Sequence, residues 1–149
     1  MSKVPIELTT SGLIHKQVRE YLEDDILPNS EGMKLIDLAN NIENKIKELT
    51  SYDPENPLNS GIAFPTGLSI NNCAAHWTPN PGDTYQTLKK SDIIKIDYGV
   101  HVNGYITDGA FSFSLDKKFD DLIDASKEAT ARGIELSGPD ADLGDIGGE

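Results

Sequence analysis

Three stretches of the chain place apolar residues three or four positions apart, the spacing that keeps them on one side of a helix. They cover residues 11–26, 30–49 and 116–136. Ser30 belongs to a residue type that caps helix N-termini, so we expect the second helix to begin beside it. Residues 1–10 hold little pattern, and no regular structure is predicted for them.

Four β-rich segments lie between the second and third predicted helices. They are residues 61–65, 70–77, 92–102 and 105–115. Asn103-Gly104 separates the last two, and Asn-Gly between β-rich runs predicts a two-residue hairpin turn. Residues 140–149 predict the first turn of a fourth helix. Helices, then strands, then a helix favour an α+β fold over a repeated βαβ winding.

The hairpin register brings two acidic residues together. With residues 103–104 as the turn, Gly99 opposes Asp108 and Asp97 opposes Ala110, so the two aspartates are diagonal neighbours on one face. Diagonal pairs lie roughly 7–8 Å apart at Cα. Their like charges disfavour ionisation, and a divalent cation between them would remove that penalty. The pattern predicts either a metal site or an exposed hairpin with two solvated aspartates.

Histidines near these segments supply further candidates. His76 ends the predicted 70–77 strand just before a loop, where it could meet a small ligand or serve as a structural histidine bonded to the backbone. His15 is predicted to lie on the surface of the first helix. Strand alternation puts His101 on the face of Asp97, and we expect it to be an exposed residue beside the turn.

Composition narrows the class of protein. The 149 residues carry a formal net charge of −12, which argues against nucleic acid and anionic membranes as partners. Cys73, the lone cysteine, cannot form an internal disulfide, and no long apolar run or secretory leader is evident. We therefore expect a cytoplasmic protein.

Two long motifs resemble a known family. Residues 95–111 (KIDYGVHVNGYITDGAF) resemble the metal-binding hairpin of the methionine aminopeptidases. Residues 64–83 (FPTGLSINNCAAHWTPNPGD) resemble the type 2 branch in particular. The resemblance covers nearly the whole chain and implies the "pita-bread" α+β fold, in which two pseudo-symmetric halves surround a metal centre. It makes residues 1–149 the N-terminal half of such a catalytic domain.

The resemblance also implies an activity and a set of site residues. Family members remove the initiator methionine from nascent polypeptides whose second residue is small, using two divalent ions such as cobalt, manganese, iron or zinc. By motif, Asp97 and Asp108 match metal ligands, with Asp108 bridging. His76 matches the active-site histidine near the scissile bond, and so a catalytic and substrate-binding residue. Phe64 matches a wall of the methionine side-chain pocket.

One departure from the family pattern limits these expectations. The family's remaining ligands, one histidine and two glutamates, have no match in these residues. We therefore expect the isolated chain to be catalytically incomplete, with a C-terminal half as its partner. The alternatives are a non-enzymatic binding protein or an inactive remnant on the same fold. Retention of both aspartates and His76 argues against the binding protein.

Overall fold

The computed structural model describes residues 4–148, which divide after Leu115 into two compact units. The first unit contains two helices and four strands. These are α1 (Ile6–Tyr21), α2 (Leu35–Leu49), β1 (Ser60–Ile62), β2 (Gly67–Ile70), β3 (Ile93–Val102) and β4 (Tyr105–Ser114). Helix α1 continues into a π-helical turn, Leu22–Ile26, and a 3₁₀ turn, Leu27–Asn29.

Strand β3 is the centre of an antiparallel sheet. It pairs with β4 along its whole length on one edge, while β1 and β2 share its other edge. Val102 opposes Tyr105, Gly99 opposes Asp108 and Asp97 opposes Ala110, so the predicted hairpin register is confirmed. Asn103 and Gly104 form the turn, with φ of 48° and 80°. Positive φ at both positions is what a type I′ turn requires.

The core lies on one face of this sheet. Alternate β3 residues Ile94, Ile96, Tyr98 and Val100 are fully buried against α1, in a cluster that also includes residues of α2. The helices contribute Val18, Leu22, Leu38, Ile42 and Ile46, all without exposed surface. We call this side of the hairpin the core face. The opposite side, which we call the carboxylate face, carries the odd-numbered residues of β3 and the even-numbered residues of β4.

Both helix starts in the first unit differ from the sequence prediction. Helix α1 begins at Ile6, before the predicted residue 11, and the Thr10 hydroxyl donates to the Ile6 carbonyl within its first turns. Helix α2 begins at Leu35, and Ser30 does not cap it. The Ser30 hydroxyl instead donates to the Leu27 carbonyl at 2.7 Å and closes the preceding turn.

The two short strands also differ from their predicted ranges. The predicted 61–65 segment is strand only at 60–62, and the predicted 70–77 segment is replaced by β2 at 67–70. Asn71 ends β2 because its φ of 52° leaves the extended region. Its side chain donates to Asp92 at 2.9 Å and accepts from the Ile93 amide at 3.2 Å, which ties the following loop to the start of β3.

The second unit consists of a 3₁₀ turn (Lys117–Phe119), α3 (Asp120–Leu136) and α4 (Leu143–Gly148). The prediction of helices here is confirmed, with α3 starting four residues later than expected. Its predicted apolar positions are not all buried: Ile123 is, whereas Leu122 and Ile134 are 60% and 70% exposed. Within residues 4–148, no helix combines the length and apolar character needed to span a bilayer.

Candidate metal centre

Asp97 and Asp108 both lie on the carboxylate face, as the register predicted. Asp97 is half-buried on β3, and Asp108 is exposed on β4. Gly67 of β2 pairs with Asp97, and a β-carbon added at Gly67 would lie 3.3 Å from the Asp97 Cβ. The absence of a side chain at residue 67 therefore leaves room beside the Asp97 carboxylate.

One oxygen of the half-buried Asp97 carboxylate lacks a hydrogen-bond partner. Its Oδ1 is buried and accepts no hydrogen bond. Burial, followed by the charge of Asp108, raises the pKa of Asp97 above its ordinary value of 3.8. Lys95 lies on the same face, but its ammonium donates to the Asn71 carbonyl at 2.8 Å and forms no ion pair with Asp97. An unsatisfied carboxylate oxygen beside a second carboxylate fits a divalent cation, whose charge would satisfy both.

His76 approaches this pair from a loop. The prediction that it ends a strand is wrong: β2 ends at Ile70, and His76 is exposed, with a φ of 63°. The loop returns to β2, because the Leu68 amide donates to the Trp77 carbonyl at 2.7 Å. The charge of His76 acts to lower the pKa of Asp97, against the effects of burial and Asp108. His76 is thus within electrostatic reach of Asp97, and its catalytic role stays a prediction.

Phe64 covers the strand next to the two aspartates. Its ring lies where a side chain at Gly99 would be, since a β-carbon added there would be 2.7 Å from the Phe64 Cδ1 and 2.9 Å from the Ala63 Cβ. Gly99 directly opposes Asp108. Phe64 also lines an open groove of about 760 Å³ between α2 and residues 62–65 and 78–81.

His101 is not the exposed residue that its position beside the turn suggested. It is half-buried, and its Nδ1 is buried without a hydrogen-bond partner. It lies on the carboxylate face, opposite Ile106 on β4 and Gly61 on β1. Strand β1 covers His101 by pairing with β3. Because β1 has only three residues, the alternation pattern of the sequence does not show where it pairs.

His15 is likewise not the surface residue predicted from its helix. Its ring stacks on Tyr98 on the core face, with 4.2 Å between ring centroids and 13° between planes. Its Nε2 donates a hydrogen bond to the Tyr98 carbonyl oxygen at 3.2 Å. Burial lowers the pKa of His15 below its ordinary value of 6.5, despite the hydrogen bonds to backbone that act to raise it.

This lowered pKa predicts how stability changes with pH. Below about pH 6.5 the unfolded chain protonates at this position before the folded chain does, so the free energy of unfolding decreases as the pH is lowered. His15→Phe keeps a ring and cannot titrate. Urea denaturation from about pH 7.5 to about pH 5.5 should show the native chain losing stability relative to the variant. An equal difference at every pH would contradict this assignment.

The set of metal ligands is incomplete within the part of the chain that the structure describes. No group of three or more histidine, cysteine, aspartate or glutamate side chains is arranged there to hold a metal ion. Asp97 and Asp108 provide two carboxylates, and divalent ions in proteins take more ligands than that. The further ligands would have to come from water or from another segment.

Comparison with known proteins agrees with this arrangement. The model of metallopeptidase family M24 matches residues 7–149. Over 141 residues the chain is 48% identical to methionine aminopeptidase 2 of Schizosaccharomyces pombe (strain 972 / ATCC 24843), a match covering 95% of this chain and 32% of the relative. The chain thus spans about a third of that relative's length.

Solved structures share the fold. A dipeptidase from Pyrococcus horikoshii OT3 matches with a TM-score of 0.65 and 27% identity, over 89% of this chain and 35% of that one. Methionine aminopeptidase from Rickettsia prowazekii matches with a TM-score of 0.65 and 22% identity, over 90% of this chain and 54% of that one. The predicted α+β architecture, half of a pita-bread fold, is confirmed. By its family match and its identity to methionine aminopeptidase 2, the chain belongs to metallopeptidase family M24.

Proposed function

We propose that this chain is part of a methionine aminopeptidase that removes the initiator methionine from nascent polypeptides in the cytosol. The observation that carries the proposal is the unsatisfied Oδ1 of Asp97 beside Asp108, on a hairpin whose family is a metallopeptidase family. The 48% identity to a methionine aminopeptidase 2 supports this substrate class.

Asp97 and Asp108 would be ligands of two divalent ions of the cobalt, manganese, iron or zinc type. Asp97 sits on the better-buried strand, so it would fix the ions against the sheet. Asp108 is exposed on β4, so its carboxylate is open to solvent. When bound, such ions polarise a peptide carbonyl and lower the pKa of water.

His76 and Phe64 would position the substrate. The His76 imidazole is exposed at the end of a loop tied to β2, where it can donate a hydrogen bond to the oxygen of the scissile carbonyl. The Phe64 ring packs on Gly99 next to the Asp108 position and offers an apolar wall. Methionine sulfur and aromatic rings make favourable contacts, which suits that wall to a methionine side chain.

We infer that the remaining ligands come from a C-terminal half that completes the site. The described residues provide two carboxylates and no larger cluster, and the chain spans 32% of its fission-yeast relative. The 149 residues alone should therefore bind Mn²⁺ weakly and release no methionine from a Met-Ala-Ser peptide. Measurable turnover by the isolated chain would contradict its incompleteness.

A chimera tests the activity itself. Joining this chain to the remaining C-terminal segment of the Schizosaccharomyces pombe relative should give a Mn²⁺-dependent enzyme that releases methionine from Met-Ala-Ser. Asp97→Ala in the same chimera should remove that activity while leaving its circular dichroism spectrum unchanged. A folded chimera that binds Mn²⁺ and leaves the peptide intact would refute the proposed function.

A further inference from the structure

Helix α1 contacts β4 through side chains that are one helical turn apart. The pairs are Ser11 with Thr107, His15 with Gly109, and Arg19 with Phe111. The first is a hydrogen bond of 2.7 Å between hydroxyl oxygens, and the last places a guanidinium 4.6 Å from a ring centroid. Residues four apart on a helix therefore meet residues two apart on the strand, and His15 is at the centre of the row.

His15 contacts both members of one directly opposed pair, Tyr98 on β3 and Gly109 on β4. Its ring stacks on Tyr98 and its Nε2 donates to the Tyr98 carbonyl at 3.2 Å. The Tyr98 hydroxyl donates back to the His15 carbonyl at 3.0 Å. Three contacts thus fix the ring to this pair and fix Tyr98 to the helix.

The strand at Gly109 leaves no spare room above the ring. A β-carbon added at Gly109 would lie 2.9 Å from the His15 Cε1 and 3.0 Å from its Nε2. Glycine is therefore needed for the ring to reach the backbone here. The imidazole lies against the strand itself, so a shift of the ring would shift the strand.

The Tyr98–Gly109 pair lies between the two pairs that carry the aspartates. Asp97 opposes Ala110 on one side of it, and Asp108 opposes Gly99 on the other. Because alternate residues point to opposite faces, the imidazole lies behind the sheet from the carboxylates and touches neither.

We propose that His15 is a positioning residue for the metal centre. From the core face, it holds the Tyr98–Gly109 pair and thereby sets the separation of the Asp97 and Asp108 carboxylates. This inference rests on the proposed metal site. Interactions that orient metal ligands typically change metal affinity by 10–100-fold when removed.

The test compares two variants on the same row. His15→Phe keeps the stacked ring and removes the bond to the Tyr98 carbonyl. Ser11→Ala removes the Thr107 bond one turn earlier and leaves the Tyr98–Gly109 pair untouched. Mn²⁺ binding is followed by electron paramagnetic resonance on the 149-residue protein, and amide hydrogen exchange is measured on each metal-free protein.

His15→Phe should weaken Mn²⁺ binding about tenfold, and should speed exchange at residues 97–99 and 108–110 more than elsewhere on the hairpin. Ser11→Ala should lower the melting temperature without weakening Mn²⁺ binding. Native affinity in His15→Phe, or an equal loss in Ser11→Ala, would overturn the positioning role. Unchanged Mn²⁺ binding in Asp97→Asn would instead refute the metal site, and the exchange pattern would still decide whether His15 holds the strand pair.

Discussion

Asp97→Asn is expected to abolish Mn²⁺ binding, with a loss of at least about a hundredfold, and to raise the stability of the metal-free protein by on the order of 1 kcal/mol. The native carboxylate has a buried oxygen without a partner and faces the charge of Asp108. An amide carries no charge, so the cost of burying a charged group beside Asp108 disappears, and its NH₂ can donate a hydrogen bond to the Asp108 carboxylate. Urea denaturation in a chelator, with Mn²⁺ titration, measures the two effects.

The size of this stability gain depends on pH. Because the pKa of Asp97 is raised in the folded protein, protonation of Asp97 stabilises the fold at acid pH. That contribution is complete below the ordinary pKa of 3.8 and is lost as pH rises through the raised value. The advantage of Asp97→Asn should therefore be greatest near neutral pH and should shrink as the solution is acidified.

Asp92→Asn is the matched control, because Asp92 is a buried aspartate just before β3 whose carboxylate, unlike that of Asp97, is hydrogen-bonded. Its carboxylate accepts from the Asn71 amide at 2.9 Å and from the Lys89 backbone amide at 3.0 Å. An asparagine there would lose an acceptor, so stability should fall, by about 1–3 kcal/mol. If both substitutions changed stability in the same direction, the unsatisfied state of Asp97 would not be the cause.

Gly99→Ala is expected to destabilise the protein by about 1–3 kcal/mol, because the added methyl would overlap the Phe64 ring and the Ala63 methyl. The displaced ring would also change the proposed methionine pocket, so a chimeric enzyme should lose affinity for its peptide. Urea denaturation checks the first effect, and the KM for Met-Ala-Ser checks the second.

Two comparisons show whether Phe64 causes this loss. Gly12→Ala adds a methyl in α1 that meets Thr107 Oγ1 at an ordinary 3.7 Å, and it should raise stability by up to about 1 kcal/mol. The double variant G99A/F64A should lose less than the sum of its single variants, since truncating the ring removes the overlap. Additive losses would contradict the close packing of Phe64 on Gly99.

The long periodic elements could be predicted from the sequence, and the short ones could not. The β3–β4 hairpin follows from alternation and the Asn103-Gly104 turn, both of which are local. The range of β2 and the start of α2 depend on distant partners, since Leu35 bonds to the Gln86 carbonyl and β2 pairs with β3. Local patterns do not contain such pairings, so the boundaries there were wrong.

In the candidate site, too, the features set by local sequence could be predicted and those set by packing between elements could not. The position of Asp97 and Asp108 on one face came from the hairpin register, which is confirmed. The approach of His76 through a loop and the burial of His15 against Tyr98 depend on how separate elements pack. Gly109 within the second strand of the hairpin was the available signal for the burial of His15, because glycine in a strand often marks a close approach.

The most direct test of the account is anomalous diffraction from crystals of this protein grown with Mn²⁺. We expect a peak on the carboxylate face within bonding distance of oxygens from both Asp97 and Asp108, and no such peak in Asp97→Asn crystals. Ordered manganese elsewhere on the surface, with the two carboxylates pointing apart, would contradict the claim that this hairpin forms part of a metal centre.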